Sequence, residues 1–358
     1  MRVSDLDTPA ILIDEERMKL NLRRAADYAR QYGLRLRPHV KTHKSVELAR
    51  RQLAVGAAGL SVAKTTEAEV MVESGTPDLL VIYPVVGRAK LERLTHLARR
   101  TRVTVSVDSL EVARPIAEAA RQAGVEIDLL AEMDAGLHRV GVQPGDELLA
   151  LVAGLQQLKG AHWRGIAFYP GHLRGAADNL DGLRIVLSAA VAQLRRHGHV
   201  PEIVSGGSTP LLWQSHTIPE MNEIRPGTYI FNDRNTVLSG ACTRADCAAT
   251  ILATVVSVAA GRMIIDGGSK TFSSDRTSAA EVTFGELVEA PTARFHKMNE
   301  EHGYVELPAD APPFRVGDRV HVIPNHVCVA VNLHERVYLV RGDEVTATLT
   351  VDARGKLQ

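Results

Sequence analysis

The chain has 358 residues and is 45% hydrophobic, enough to bury a large core and fill two domains. Its 42 basic and 42 acidic side chains cancel, and only 4% of residues are aromatic. That excludes a nucleic-acid protein held by bulk charge or by base stacking. The polar start, Met1 to Asp7, has no apolar signal core, and no window is long enough to cross a bilayer. Three cysteines, Cys242, Cys247 and Cys328, form no secreted disulfide framework. The expectation is a cytoplasmic chain with no membrane or nucleic-acid partner.

Thr8 to Ile13 is a short apolar run behind a proline, a first strand outside the main repeat. Glu15 to Tyr32 predicts a helix closed at Gly33. An alternation then begins. Extended runs fall at 34–40, 59–63, 78–85, 103–107, 127–133, 165–168, 201–204 and 222–231, with helical segments between them. Strands alternating with helices imply parallel βαβ units. Eight such units predict a closed (β/α)8 TIM-type barrel over residues 14–240. An open doubly wound sheet is the alternative. The first strand is not followed by Gly-x-Gly-x-x-Gly, which counts against its dinucleotide-binding form.

Beyond Asp233 the pattern changes to short β-like runs at 248–259, 262–266, 281–289, 303–307, 316–323, 337–339 and 344–351. Residues 241–358, joined by 1–13, are therefore expected to form a mainly β second domain.

Barrel active sites lie at the C-terminal ends of the strands. Polar residues gather at those ends here. The first barrel strand runs into Arg37-Pro38-His39-Val40-Lys41-Thr42-His43-Lys44. A lysine there can serve as an imine-forming amine, although a basic surface turn would look the same. The fifth strand runs into Asp134 to Gly141, the sixth into Tyr169-Pro170-Gly171-His172, and the eighth holds Arg225-Pro226-Gly227-Thr228-Tyr229. After the seventh comes Ser205-Gly206-Gly207-Ser208, either a phosphate cradle or a plain glycine-serine turn. A phosphate site on strand seven and a lysine on strand one together describe pyridoxal 5'-phosphate (PLP). Far downstream, His326 and Cys328 are two residues apart. On a strand they would share a face and could bind one metal; the alternative is a surface histidine beside a buried cysteine.

These motifs, together with Asp266-Gly267-Gly268-Ser269-Lys270, Glu301-His302-Gly303 and Pro324-Asn325-His326-Val327-Cys328, resemble those of the D-threonine aldolase and D-serine dehydratase family. That family comprises fold-type III PLP enzymes, related more distantly to alanine racemases. The resemblance implies that Lys41 carries the cofactor, with Lys44 as its rival. It places Arg139 near the ring's phenolic oxygen and Tyr169 at the cofactor face. Ser205, Gly206, Gly207, Ser208, Gly227 and Thr228 would hold the phosphate. Arg225 departs from the aldolase pattern and matches the position where alanine racemases set an arginine against the pyridine nitrogen. There it would weaken the ring as an electron sink and shift the demand to a metal.

His326 and Cys328 would hold that divalent metal, with zinc the first choice and manganese or magnesium the alternatives. Aldolases of the family show His-x-Asp here and dehydratases His-x-Cys, whereas Asn332-Leu333-His334-Glu335 looks aldolase-like. His39, His43 and His172 are candidates for acid–base work or for structural hydrogen bonding. The implied activity is that of a lyase on β-hydroxy D-amino acids. It either cleaves them to glycine and an aldehyde or eliminates to a keto acid and ammonia. A racemase would leave the metal pair idle, and a PLP carrier would not need the β domain. The resemblance also implies a homodimer.

Overall fold

The computed structural model describes residues 1–175, 178–277 and 282–358. Contacts divide the chain into two units, Arg24–Gly227 with Gly355–Gln358 and Met1–Arg23 with Thr228–Arg354. The division lies inside the 14–240 span drawn from the sequence. Its physical reason is local. Asn21 donates to the carbonyls of Ile230 and Asp246, and Ala248 N–H donates to Phe231 O at 2.6 Å. These bonds tie the first turns of the long helix and residues 228–231 to the β unit.

The chain opens with β1 (Ala10–Asp14) and α1 (Glu15–Gln31). Strands and helices then alternate: β2 (Arg35–Leu36), α2 (Val46–Ala54), β3 (Leu60–Val62), α3 (Thr65–Met71), β4 (Asp78–Val81), α4 (Arg88–Leu97), β5 (Arg102–Val107) and α5 (Leu110–Ala123). They continue with β6 (Ile127–Met133), α6 (Asp146–Leu155), β7 (Ala161–Phe168), α7 (Asp181–Arg196), β8 (Ile203–Gly206) and β9 (Glu223–Ile224). The helices form for ordinary reasons. In α5, Ser109 Oγ accepts the Val112 N–H at the start, and Ala113, Ile116, Ala117 and Ala120 make one buried stripe.

The eight strands β2 to β9 form one parallel sheet in the order β2-β9-β8-β7-β6-β5-β4-β3. Its two ends meet through a parallel bridge between His39 and Ser61 and through Ser61 N–H to Pro38 O at 2.8 Å. The sheet therefore curls back on itself, as the (β/α)8 reading expects. One face carries an apolar cluster of Leu80, Leu130, Ala167 and Ile203. By strand alternation, that face also carries Asp78, Glu132 and Ser205. The first and last strands are far shorter than the sequence suggests. Pro38 and Pro226 have no N–H for a ladder, and Thr228–Ile230 coils into a 3-10 turn.

The β unit continues with α8 (Arg234–Leu238), β10 (Ala249–Ala259), β11 (Arg262–Ile265), α9 (Ser269–Phe272), β12 (Gly285–Leu287), β13 (Arg294–Met298) and β14 (Gly303–Glu306). It ends with β15 (Arg319–Pro324), α10 (Val327–Leu333), β16 (Arg336–Arg341) and β17 (Glu344–Thr350). The main sheet path is β13-β14-β11-β10-β1-β16-β17, with β15 joining β10 and β12 joining β15. β1 sits inside this sheet, antiparallel to β10 and parallel to β16. β13 was not anticipated, because only Phe295 and Met298 interrupt its polar run. Of the run expected at 281–289, Glu281 lies outside the described residues.

The expected strand through His326 and Cys328 is corrected. His326 is extended, at φ −137° and ψ 96°, and Cys328 lies in the first turn of α10. Among the described residues, no helix is long and apolar enough to cross a membrane.

Candidate active site

The candidate site residues of the barrel unit start where β2 ends. His39 N–H donates to Pro226 O at 2.9 Å, and its Nδ1 accepts the Lys41 N–H at 3.3 Å. This fixes the 3-10 turn Val40–Thr42, on which the Lys41 side chain is exposed. Burial, followed by the cations Lys41, Arg225 and Arg139, holds His39 well below the usual imidazole range. It is a neutral ring that shapes the turn.

Lys44, the rival lysine, is buried, adopts a left-handed backbone (φ 50°) and lies 3.7 Å from Glu67 Oε1. Glu67 is itself fixed by the Ala63 N–H at 2.6 Å. Burial raises the Glu67 pKa against the pull of that N–H and of Lys44 and Lys41. An amine that must bond a carbonyl has to be reachable, so Lys41 fits the role and the ion-paired Lys44 does not.

His43 leaves the acid–base list. One ring nitrogen meets Gln52 Oε1 at 3.1 Å and the other accepts the Ser45 N–H at 3.0 Å. Burial pushes its pKa down to about 4. This gives a stability prediction. The unfolded ring titrates near 6.5 and the folded one near 4, so the unfolded chain takes up a proton first as pH falls. The contribution is complete above pH 6.5 and lost as pH falls through 4. About 2 kcal/mol should disappear between pH 7 and pH 5. Urea midpoints at the two pH values check this, and the drop should shrink in His43→Gln.

The barrel interior holds a chain of buried charges. Arg225 donates to Ser205 Oγ at 2.6 Å and to Phe168 O at 2.9 Å. Ser205 Oγ donates in turn to Glu223 Oε1 at 2.7 Å. Glu223 Oε2 lies 2.9 Å from Arg37 Nε, and Arg37 also pairs with Asp78 at 2.9 Å. Glu132, bonded by the Ser106 hydroxyl, is buried close enough to Arg225 to feel its charge, yet burial keeps its pKa raised. The Ser205 side chain is thus committed to Arg225 and Glu223, which leaves only its backbone for a phosphate.

The rest of the glycine-serine stretch suits an anion better. Ser208 Oγ is buried with no hydrogen-bond partner among the described residues. A Cβ at Gly206 would run into the Phe168 ring, and Gly207 has a left-handed backbone (φ +82°). A Cβ at Gly227 would come within 2.9 Å of Thr42 Oγ1 and 3.1 Å of His39 O, and the Gly227 N–H donates to Thr209 Oγ1. An orphaned hydroxyl beside backbone that only glycine can follow is what a phosphate cradle requires. Arg139 sits over the Tyr169 ring, 4.8 Å from its centroid. Its loop is held by Asp134, which accepts the N–H groups of Gly136 and His138. His172 is exposed.

In the β unit, His326 Nδ1 lies 2.6 Å from Asp275 Oδ2. His326 and Cys328 are hydrogen-bonded to each other, and Cys328 Sγ lies 3.6 Å from Thr228 Oγ1. Burial lowers the His326 pKa, but Cys328, Asp233 and Asp275 outweigh it and raise it to about 10. Thr228, expected at a phosphate, has its hydroxyl on the cysteine. Among the described residues, no group of three or more His, Cys, Asp or Glu is placed to hold a metal. The donor chemistry still fits one. Asp275 occupies Nδ1, which leaves Nε2 as the ligand atom next to a thiolate, with water or substrate to complete the sphere.

A family model described as the alanine racemase N-terminal domain matches residues 13–235, and one described as a putative serine dehydratase domain matches 248–340. The chain is 32% identical to a D-threonine aldolase of Arthrobacter sp, over 98% of this chain and 93% of that protein. The chain belongs to the D-threonine aldolase and D-serine dehydratase family. It is also 32% identical to the D-threo-3-hydroxyaspartate dehydratase of Delftia sp. (strain HT23), over 90% of this chain and 91% of that protein. The solved structure of D-threonine aldolase from Filomicrobium marinum matches with a TM-score of 0.94 at 32% identity, covering 100% of this chain and 98% of that one.

Enzymes of the D-threonine aldolase and D-serine dehydratase family are fold-type III PLP enzymes, and the barrel residues fit that cofactor. Lys41 has a reachable amine, and Ser208 with Gly206, Gly207 and Gly227 could hold the cofactor's phosphate. Sequence reasoning missed Glu67, Glu132, Glu223, Asp233 and Asp275. Glu223 could have been suspected as an acid two residues before Arg225 on a buried strand. Asp275 gives no local signal, since it lies 51 residues before its histidine.

Proposed function

We propose that the protein is a lyase acting on β-hydroxy D-amino acids, and that its main reaction is retro-aldol cleavage to glycine and an aldehyde. The observation that carries this reading is the His326–Cys328 pair, with His326 Nδ1 held by Asp275. A racemase exchanges one proton at the α-carbon and has no use for such donors; a β-hydroxyl does. Whole-chain likeness to D-threonine aldolases is compatible with cleavage, and the equal identity to a dehydratase keeps elimination beside it.

When bound, PLP supplies the electron sink at the substrate α-carbon, and a metal at His326 and Cys328 supplies Lewis acidity toward the β-hydroxyl. The chain's own groups do the rest. Lys41 would hold the cofactor through its exposed amine, and the same amine is the group placed to move a proton at the substrate α-carbon. Arg225, pinned by Ser205 and Phe168 O, is a fixed buried cation that would face the cofactor's pyridine nitrogen. Arg139, stacked on Tyr169, would flank the cofactor ring with it. Overall, the β-hydroxyl loses its proton, the Cα–Cβ bond breaks with its electrons left at Cα, and Cα takes up a proton to give glycine.

Cys328 favours a second reading, β-elimination to a keto acid and ammonia, because thiolate is the dehydratase-like choice at this position. Zinc is the proposed metal, since thiolate with imidazole suits it better than magnesium or manganese. Three free cysteines support a reducing, cytoplasmic setting. The proposed assembly is a homodimer; a monomer in sedimentation with full activity would overturn that part.

Product analysis with D-threonine and D-serine, with and without chelator, tests the whole reading. D-threonine should give glycine and acetaldehyde, and chelation should slow it on the order of 100-fold or more, the scale of a Lewis acid worth several kcal/mol. Keto acid and ammonia as the main products would select the dehydratase. L-isomers with no chelator effect would refute both.

A further inference from the structure

α10 begins in an unusual way. His326 stands at its N-cap, but its side chain makes no capping bond because it is turned to Asp275. The first N–H groups of a helix need an acceptor from elsewhere. Asp233 supplies one: its Oδ2 accepts the Val327 N–H at 3.0 Å across 94 residues. The other oxygen, Oδ1, accepts the Thr236 N–H at 2.9 Å and caps α8. Asp233 is 1% exposed. Val327 is the residue between His326 and Cys328, and its N–H belongs to the peptide that leaves His326, so the bond fixes the first of the two peptides between the donors. The preceding residue is pinned as well. Asn325 O accepts the Asn235 N–H at 3.2 Å, and Asn325 Nδ2 donates to Asp275 O at 3.0 Å.

We propose that Asp233 is a positioning residue for the metal pair: its carboxylate, by holding the Val327 N–H, sets the relative directions of the His326 and Cys328 side chains. The inference rests on the reading of those two residues as the metal pair. Two donors on one short turn chelate a single ion only if the peptide between them keeps one orientation. A backbone clamp achieves this without using a ligand atom. The carboxylate also adds negative charge beside the imidazole and the incoming cation.

The full-length protein, stripped of metal with a chelator, is titrated with Zn2+ against a chromophoric competitor, and with Co2+ to follow the thiolate charge-transfer band. Asp233→Asn and Asp233→Ser both keep an acceptor for Thr236, so α8 stays capped. Asn turns an N–H2 toward the Val327 N–H, and Ser is too short to reach it. Each should weaken Zn2+ binding about 10–100-fold and diminish the Co2+ band, the range expected when a partner behind a ligand is lost. Thr236→Ala removes the Thr236 hydroxyl bonds to the Asp233 backbone and Oδ1 but keeps the Thr236 N–H on Oδ1 and leaves Oδ2 on Val327, so Zn2+ affinity should stay within about twofold even if stability falls.

Wild-type affinity in both Asp233 variants, with affinity lost in His326→Ala, overturns this inference and leaves the metal reading intact. Wild-type affinity in His326→Ala overturns the metal reading, and this inference with it. If neither Asp233 variant folds, hydrogen exchange at Val327 in the wild type decides. A protected amide that slows further with Zn2+ supports the clamp; fast exchange in the folded protein rules it out.

Discussion

Lys41→Ala is expected to lose the visible absorbance of protein-bound PLP and to slow D-threonine turnover on the order of 10⁴-fold, the scale seen when a residue central to covalent catalysis is removed. The structure makes the variant clean. The Lys41 side chain is exposed, and the turn beneath it is held by the Lys41 backbone N–H on His39 Nδ1, which alanine keeps. Stability should stay within about 0.5 kcal/mol. Lys44→Ala is the contrast. It leaves a buried Glu67 without its 3.7 Å ion-pair partner. That variant should lose stability by a few kcal/mol and keep the absorbance. Reduction with borohydride followed by peptide mapping gives an independent reading. A label found on residue 44 rather than 41 would reverse the assignment.

Arg37→Ala should be the most destabilising single change in the barrel, by about 3–5 kcal/mol. The guanidinium is 1% exposed and lies between two buried carboxylates, Asp78 and Glu223, each at 2.9 Å. Their attraction outweighs the cost of burying the cation and pushes its pKa up. Alanine leaves both acids without that charge and opens a cavity where a long side chain had packed. Chemical denaturation checks the magnitude, and a loss below about 1 kcal/mol would show that water or rearrangement replaces the pair. Arg37→Met fills the volume without the charge and should recover only the cavity part.

Much of the barrel is legible in the sequence because alternation of strand and helix is a periodic signal, and polar strand ends stand out against it. Lys41 is singled out that way. Strand length was not legible at Pro38 and Pro226, where the missing N–H ends pairing within two residues. Spacing joins His326 and Cys328 but places them on a strand, which is the wrong local geometry. Val327-Cys328-Val329-Ala330-Val331 reads as a strand by its β-branched residues, yet it forms α10. Its helical start is satisfied by Asp233, a partner 94 positions away that no local window contains. His43 shows another limit. A histidine beside a lysine motif looks catalytic until both ring nitrogens are seen to be occupied.

The link from Arg225 through Ser205 to Glu223 and Arg37 bears on how this barrel can change its chemistry. Replacing Arg225 alone takes the donor away from Ser205 Oγ and a buried cation away from Glu223, so the cost of the first substitution is felt before any new reactivity appears. Substitutions at 37, 205, 223 and 225 should therefore be strongly non-additive. A directed-evolution library that randomises position 225 by itself would sample mostly damaged proteins. The productive unit of variation is the set of four residues, which lineages would have to exchange together or in a protected order.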